Sequence, residues 1–316
     1  MDALSKIFDD IHLHRSEYIY LKSKQAWSFQ FQDHGAMIAY VVITGQCLVQ
    51  LNNEQIQLEA GDLCLIPSGQ NHQCRSIHTD PLVESLNITP LFQEKRHKTV
   101  DLNPSESDTT EELLMLAIRG HVDSIMARPL FNALPNILHI QHIMSSTAPE
   151  WLQIGLQFLA VEVNQIRPGR DKILDHLVSI LFIECVRDYI AAMPDSNNWL
   201  HALSHPELSN ALAAIHEQPQ QPWTVESLAE QCCMSRSKFA SLFTQIVGET
   251  PLAYLQQHRL RLAAQHLKMG QLTIQQIAHR IGYSSETAFS QTFKKFYDLT
   301  PTQYRQQFQV QKFSVN

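Results

Sequence analysis

The feature that most constrains this chain is a repeat near its C-terminus. Thr224, Leu228, Ala229 and Ser235 recur as Thr273, Ile277, Ala278 and Ser284 at an offset of 49. Phe239, Phe243, Thr250, Pro251 and Tyr254 recur as Phe289, Phe293, Thr300, Pro301 and Tyr304 at an offset of 50. The offset changes by one inside a turn, so the second copy carries one extra residue there. Each copy reads as two short helices around that turn. Ala229 or Ala278 lets the two helices approach closely. The turn is Cys233-Met234 in one copy and Gly282-Tyr283 in the other, and Gly282 can take a positive φ. Ser235, and Ser284 or Ser285, can cap the second helix. Phe239 with Phe243, and Phe289 with Phe293, are spaced to share a buried face. Pro251 and Pro301 open the helices that follow.

The opposite face of each second helix is polar: Arg236, Ser237, Lys238 and Ser241, or Glu286, Thr287, Ser290, Gln291 and Lys294. Such a helix is the right size for a DNA major groove. A single helical hairpin says little about DNA, but two in tandem say much more. They are joined by a helix of about 18 residues (251–268), roughly 27 Å long at 1.5 Å per residue. With the flanking helices added, that approaches the roughly 34 Å of one DNA turn. Both second helices can therefore enter successive major-groove segments on one face.

Charge supports this division. The chain has 316 residues and a formal charge of −7, which alone argues against nucleic acid. Residues 1–204 carry −10, however, and residues 205–316 carry +3. That asymmetry marks the last part as the nucleic-acid candidate. The N-terminus lacks the pattern of a secretion signal. No apolar run approaches 18 residues, so no membrane span is expected. The expected location is the cytoplasm. The six cysteines (47, 64, 74, 185, 232 and 233) form no C-x-x-C pair and read as free, mostly buried thiols.

Residues 17 to about 92 read as strands. AMIAYVVI (36–43) and CLVQL (47–51) meet at Thr44-Gly45, and short strands broken by Gly, Asn and Pro suggest a small antiparallel barrel or sandwich. From about residue 110 the spacing turns helical, in EELLMLAIRGHV, in WLQIGLQFLAVEVNQI (151–166) and in KILDHLVSILFIECVRDYI (172–190). The last is apolar on more than one face. It is either buried between a domain and a dimer mate or is the central helix of a monomer. MPDSNNWLHALS (193–204) reads as a boundary, and all after Pro206 is helical. The expected class is α+β, with a β-barrel over 1–98, a helical connecting and dimerisation region over 99–195 and a linker over 196–204. An all-α domain then covers 205–316, with helix–turn–helix units at 223–247 and 272–297.

These residues resemble a known family. IAHRIGYSSETAFSQTFKKFYDLTPTQYR and WTVESLAEQCCMSRSKFASLF are similar to the two helix–turn–helix units of the AraC/XylS bacterial transcription regulators. GQCLVQLNNEQIQLEAGDLCLIPSGQNH resembles the cupin sensor domain of one branch. LLFIECVRDYI followed by NNWLHALSHPELSNALAAIHEQPQQPW is similar to that branch's connecting region. The resemblance implies a sequence-specific, double-stranded-DNA-binding regulator and leans to an activator working with RNA polymerase. It implies a homodimer, a small organic effector, and no catalytic residues or cofactor. Carried over by position, the base-reading faces are Ser237, Ala240 and Ser241, and Glu286, Thr287, Ser290 and Gln291. Arg236, Lys238, Lys294 and Lys295 are phosphate candidates. The first helix offers mostly small groups, so its readout leans on phosphates, methyl contacts and DNA shape. Gln291 can pair bidentately with adenine. Glu286 accepts from a cytosine amino group or serves as a helix N-terminal charge. Arg259 and Arg261 read as solvated or paired, with a phosphate contact as the alternative.

The first domain carries fragments of a metal-binding cupin. His34 and His72 stand at ligand-like places, but Gln32 replaces a first His and Ile38 replaces the Glu. Cys74 can complete a soft His34/His72/Cys74 set. Alternatively His72 is a hydrogen-bonded histidine and Cys74 a packed thiol. In the third reading, His34, Ile38, Tyr40 and His72 line an effector pocket. His12/His14 and His139/His142 read as surface or capping residues. The rival functions are a metal-dependent cupin enzyme with an appended helical domain and a helical protein-interaction module that never touches DNA.

Overall fold

The computed structural model describes residues 2–11, 13–24, 26–33, 35–77, 84–94, 99–102, 113–141, 143, 150–151, 153–155, 157–158, 168–193 and 199–313. Contacts divide the chain into two compact units. One holds His12–Ser124 and Leu134–Ala191; the other holds Met1–Ile11, Ile125–Ala133 and Ala192–Asn316.

The first unit is built on two sheets. Its strands are β1 (His14–Ser23), β2 (Ser28–Phe31), β3 (Ala36–Thr44), β4 (Gln46–Leu51), β5 (Glu54–Glu59), β6 (Leu63–Ile66), β7 (His72–Arg75), β8 (Leu86–Asn87), β9 (Thr99–Asp101), β10 (Leu113–His121) and β11 (Leu138–Ile140). One sheet runs β11-β6-β3-β10-β1-β9 and the other β5-β4-β7-β2-β8. The Thr44-Gly45 turn, with Gly45 at φ 82°, carries the chain from one sheet to the other. The strands therefore form two sheets rather than the closed barrel expected, because among the described residues no ladder joins β3 to β4. The α+β class stands. Alternate residues of both sheets fill the core: Ile19, Phe29, Phe31, Ile38, Tyr40, Val42, Val49, Leu58 and Met115.

β10 corrects the sequence reading. The spacing of EELLMLAIRGHV predicts a helix, yet Leu113–His121 is a strand paired antiparallel with both β1 and β3. Its central residues are buried on both faces. A strand covered on both sides loses the polar–apolar alternation, and a short apolar run then looks the same as a buried helix.

A short helix, α2 (Leu91–Glu94), and the long α4 (Arg170–Ala192) complete this unit. Leu174, Val178, Leu181, Phe182, Cys185 and Val186 form the buried side of α4, while Ile173 and Ile180 stay 42% and 51% exposed. Most of the expected helix at 151–166 lies outside the described residues. Ile154 and Phe158, which are described, are 46% and 58% exposed.

The second unit is helical: α1 (Ala3–Ile11), α3 (Ser124–Ala133), α5 (Trp199–Ser204), α6 (Ser209–Glu217), α7 (Val225–Gln231), α8 (Arg236–Val247), α9 (Pro251–Met269), α10 (Ile274–Arg280), α11 (Glu286–Tyr297) and α12 (Pro301–Phe313). α1 buries Ala3, Ile7 and Ile11. Although α1 is the first element in sequence, it packs on α6, and Lys6 Nζ lies 3.9 Å from Glu217.

Candidate nucleic-acid interface

The two repeat copies fold alike down to their caps. Thr224 and Thr273 each close a capping box at the start of α7 and α10, with Ser227 and Gln276. The loop then turns back: the Met234 amide donates to the Ala229 carbonyl, and the Tyr283 amide to the Ala278 carbonyl. Cys233 and Gly282, which match at the offset of 49, both take positive φ, 52° and 87°. Ser235 accepts from the Lys238 amide and Ser285 from the Ala288 amide. Ser285 is therefore the capping residue of the second copy, and Ser284 is the inserted one. Phe239/Phe243 and Phe289/Phe293 are fully buried, with ring centroids 5.6 Å apart in both pairs.

α9 links the copies over 19 residues, or about 28 Å. Thr250 caps it and Pro251 opens it. Thr300 caps α12 through a reciprocal pair with Gln303, at 3.0 and 3.3 Å. Arg259 on α9 is paired, as one sequence reading had it. Its Nε donates to the Pro219 carbonyl at 2.6 Å and its Nη2 to the Gln221 carbonyl at 2.7 Å. A Cβ on Gly282 would stand 2.6 Å from the Gln220 oxygen and 2.9 Å from Arg259 Nη2. The loop before the first copy is thus seated on the turn of the second. Arg261 is half-buried, and burial pulls its pKa down.

The polar faces of α8 and α11 stay in solvent. Ser237, Ser241, Glu286, Thr287 and Gln291 are exposed, and Ala240 and Ser290 are half-buried. The basic groups differ between copies. Arg236 lies 3.0 Å from Glu226, and Lys238 lies 2.7 Å from Glu207. Lys294 and Lys295 are exposed and make no ion pair among the described residues. Exposed pairs are weak and exchange readily, so Arg236 and Lys238 are held rather than withdrawn.

A cupin family model matches residues 2–191, and a helix-turn-helix domain model matches residues 228–307. The HTH-type transcriptional regulator AlkR of Acinetobacter baylyi is 56% identical over 97% of this chain and all of its own length. An uncharacterized HTH-type transcriptional regulator of Haemophilus influenzae is 30% identical over 96% of this chain and 98% of its own. The DNA-binding domain of AdpA, solved in complex with a target DNA, is 27% identical over 33% of this chain and 95% of that domain, at a TM-score of 0.32. The chain belongs to the AraC/XylS family of transcription regulators. It is a DNA-binding regulator and not an enzyme, so the cupin-enzyme and interaction-module readings fall.

In this AraC-family chain the cupin-type unit places the expected pocket residues in its core. Ile38 and Tyr40 are fully buried and His72 is 3% exposed. Tyr40 Oη lies 2.8 Å from His72 Nε2, and His72 Nδ1 lies 2.6 Å from the Gln70 carbonyl. Nδ1–H therefore donates to Gln70, and the Tyr40 hydroxyl donates to Nε2. Burial lowers the His72 pKa to about 4, so the ring is neutral. Cys74 is buried, and burial pushes its thiol well up. His34, with its role in the pocket or in a metal set, lies outside the described residues, as do His12 and His142. His14 is exposed, whereas His139 is half-buried and sits 2.9 Å from the Asp62 carboxylate.

Sequence reasoning missed two polar groupings. Glu17 and Arg119 are buried, paired to each other and directly opposite across β1 and β10. Reading LLMLAIRGH as a strand would have exposed that neighbour. Asp10, His216 and Tyr254 form a chain of hydrogen bonds in the helical unit. Residues so far apart in sequence give no local signal of it.

Proposed function

We propose that this regulator grips its operator with α8 and α11 together, under control of a small organic effector at the cupin-type unit. The carrying observation is the duplicated turn with matched caps, which exposes two polar helix faces of unlike charge. Gln291 reads a base, most naturally adenine, by a bidentate hydrogen bond. Lys294 and Lys295, unpaired among the described residues, hold phosphates. Arg236 and Lys238 exchange Glu226 and Glu207 for phosphate on binding. Ser237, Ala240 and Ser241 offer small contacts that favour shape readout. Thr287 and Ser290 support Gln291, and Glu286 sits in the first turn of α11, where a carboxylate suits the helix dipole.

The effector pocket of this proposal is Ile38, Tyr40 and His72 with His34, a polar pair in apolar surroundings. The protein acts in the cytoplasm as a homodimer, and as an activator that engages RNA polymerase. Support for the dimer is the apolar set Ile154, Phe158, Ile173 and Ile180, all exposed. The expected boundaries near residues 195 and 205 are part of the same reading, whereas β9, β10 and β11 carry the first unit past the boundary expected at 98.

Genome-wide footprinting of the full chain, followed by binding to operator variants, tests this. Gln291→Ala is expected to lose about 1–3 kcal/mol of discrimination at one base pair. Lys294→Ala is expected to weaken all sequences alike and reduce the salt slope by about 1. Unchanged base preference removes Gln291 from the reading, and an unchanged salt slope removes Lys294.

A further inference from the structure

We propose that Asp10, His216 and His258 form a binding site for a divalent transition-metal ion, with zinc the best fit. The three residues come from α1, α6 and α9, and their ligand atoms all lie within 4.8 Å of one another. Asp10 Oδ2 stands 3.1 Å from His216 Nδ1 and 3.9 Å from His258 Nε2. Zinc bonds to N and O of about 2.0–2.2 Å place ligand atoms roughly 3–4 Å apart. The set thus needs to close by about an ångström, which a rotation of the His258 ring or the Asp10 carboxylate supplies. Two imidazoles and a carboxylate select this class of ion over magnesium or calcium.

His258 is the second, independent sign. It is 1% exposed, and neither ring nitrogen has a hydrogen-bond partner among the described residues. A buried polar group without a partner is costly and calls for an explanation. A metal on Nε2 is such an explanation. His216 is already aimed: its Nε2 lies 2.8 Å from Tyr254 Oη, which in turn accepts from Trp199 Nε1 at 3.3 Å. Hydrogen-bond partners of this kind fix the orientation of metal-ligating histidines. When the ion binds Nδ1, the His216 hydrogen moves to Nε2 by exchange with water and donates to Tyr254. The proton count of the His216 ring is unchanged by this exchange.

A cavity of about 10 Å³ borders the three ligands and is also lined by Trp199, Tyr254 and Arg261. It is the size of roughly one water, which is the fourth ligand such a site needs. The Arg261 charge opposes the ion, so this site is weaker than one built of thiolates. Occupied, it fastens α1 to α6 and to the helix that joins the two repeat copies. The inference rests on the packing of the helical unit and is independent of how the operator is read.

The test is zinc titration of the full chain in a Cys232→Ser/Cys233→Ser background, which removes the exposed Cys233 and its half-buried neighbour as rival ligands. One zinc per chain is expected, with visible absorption when cobalt replaces it. In Asp10→Asn and in His258→Gln the affinity should fall about tenfold or more, and the zinc-induced rise in Tm should vanish. Asp10→Asn is nearly isosteric and keeps the test valid if His258→Gln folds poorly. No binding by the parent protein, or equal binding by both variants (an adventitious ion only), overturns the site.

Discussion

Cys233 and Gly282 occupy the same place in two copies of one turn, yet only one of them is a glycine. The same exchange occurs at the far end of each recognition helix. Gly248 has φ 87° after α8, and Asp298, its match at the offset of 50, has φ 58° after α11. Each copy therefore holds one of its two left-handed positions with a side chain. A β-carbon in that region costs roughly 1–2 kcal/mol, so Cys233→Gly should raise stability by up to about 1 kcal/mol once the entropy of the unfolded glycine is counted. Gly282→Ala should do the opposite by more than about 1 kcal/mol, because its new methyl also meets the Gln220 oxygen. Urea midpoints of the two variants check this; shifts of the same sign would sink it. The repeat itself was legible because its signals are local: a cap three residues from its partner, a Phe pair one turn apart. The left-handed Cys233 was not, since nothing in its side chain announces a positive φ.

Among elements, α8, α11 and α4 were readable and β10 was not. Helices with one polar face betray their period, whereas LLMLAI sits between two strands with both faces covered. Missing that strand also hid Arg119, whose partner Glu17 lies directly across the ladder. α4 carries its own message on the outside. Ile173 and Ile180 lie two turns apart on the same helix and remain exposed. If they meet a second copy, Ile180→Asp should shift the protein from dimer to monomer in sedimentation velocity at micromolar concentration, with the far-ultraviolet dichroism unchanged. A variant that sediments as the parent does would exclude this face as the dimer contact.

At the scale of the molecule, acid should loosen the fold in a defined window. His72 is neutral with a pKa of about 4, against 6.5 when unfolded. Between those values the unfolded chain binds a proton that the folded one refuses, so stability rises with pH there and is lost as pH falls from 6.5 towards 4. The effect is at most about 3 kcal/mol. Chemical denaturation at pH 7 and at pH 4.5 should show a smaller acid loss in His72→Gln than in the parent; an equal loss would assign the effect elsewhere. The long-range arrangements at this scale, α1 on α6 and Asp10 beside His216 and His258, were beyond the sequence because no spacing encodes them.

Arg259 binds the carbonyls on both sides of Gln220, and Gln220 in turn rests over Gly282. That seat fixes the register between the two halves of the reading head. A spring between them would let one protein tolerate operators of several lengths, but a seat does not. An extra base pair moves one half-site by about 3.4 Å along the DNA axis and rotates it away, a displacement that the Arg259 seat opposes. Promoters under this regulator are therefore expected to drift by changing letters inside the two half-sites while keeping the gap between them constant.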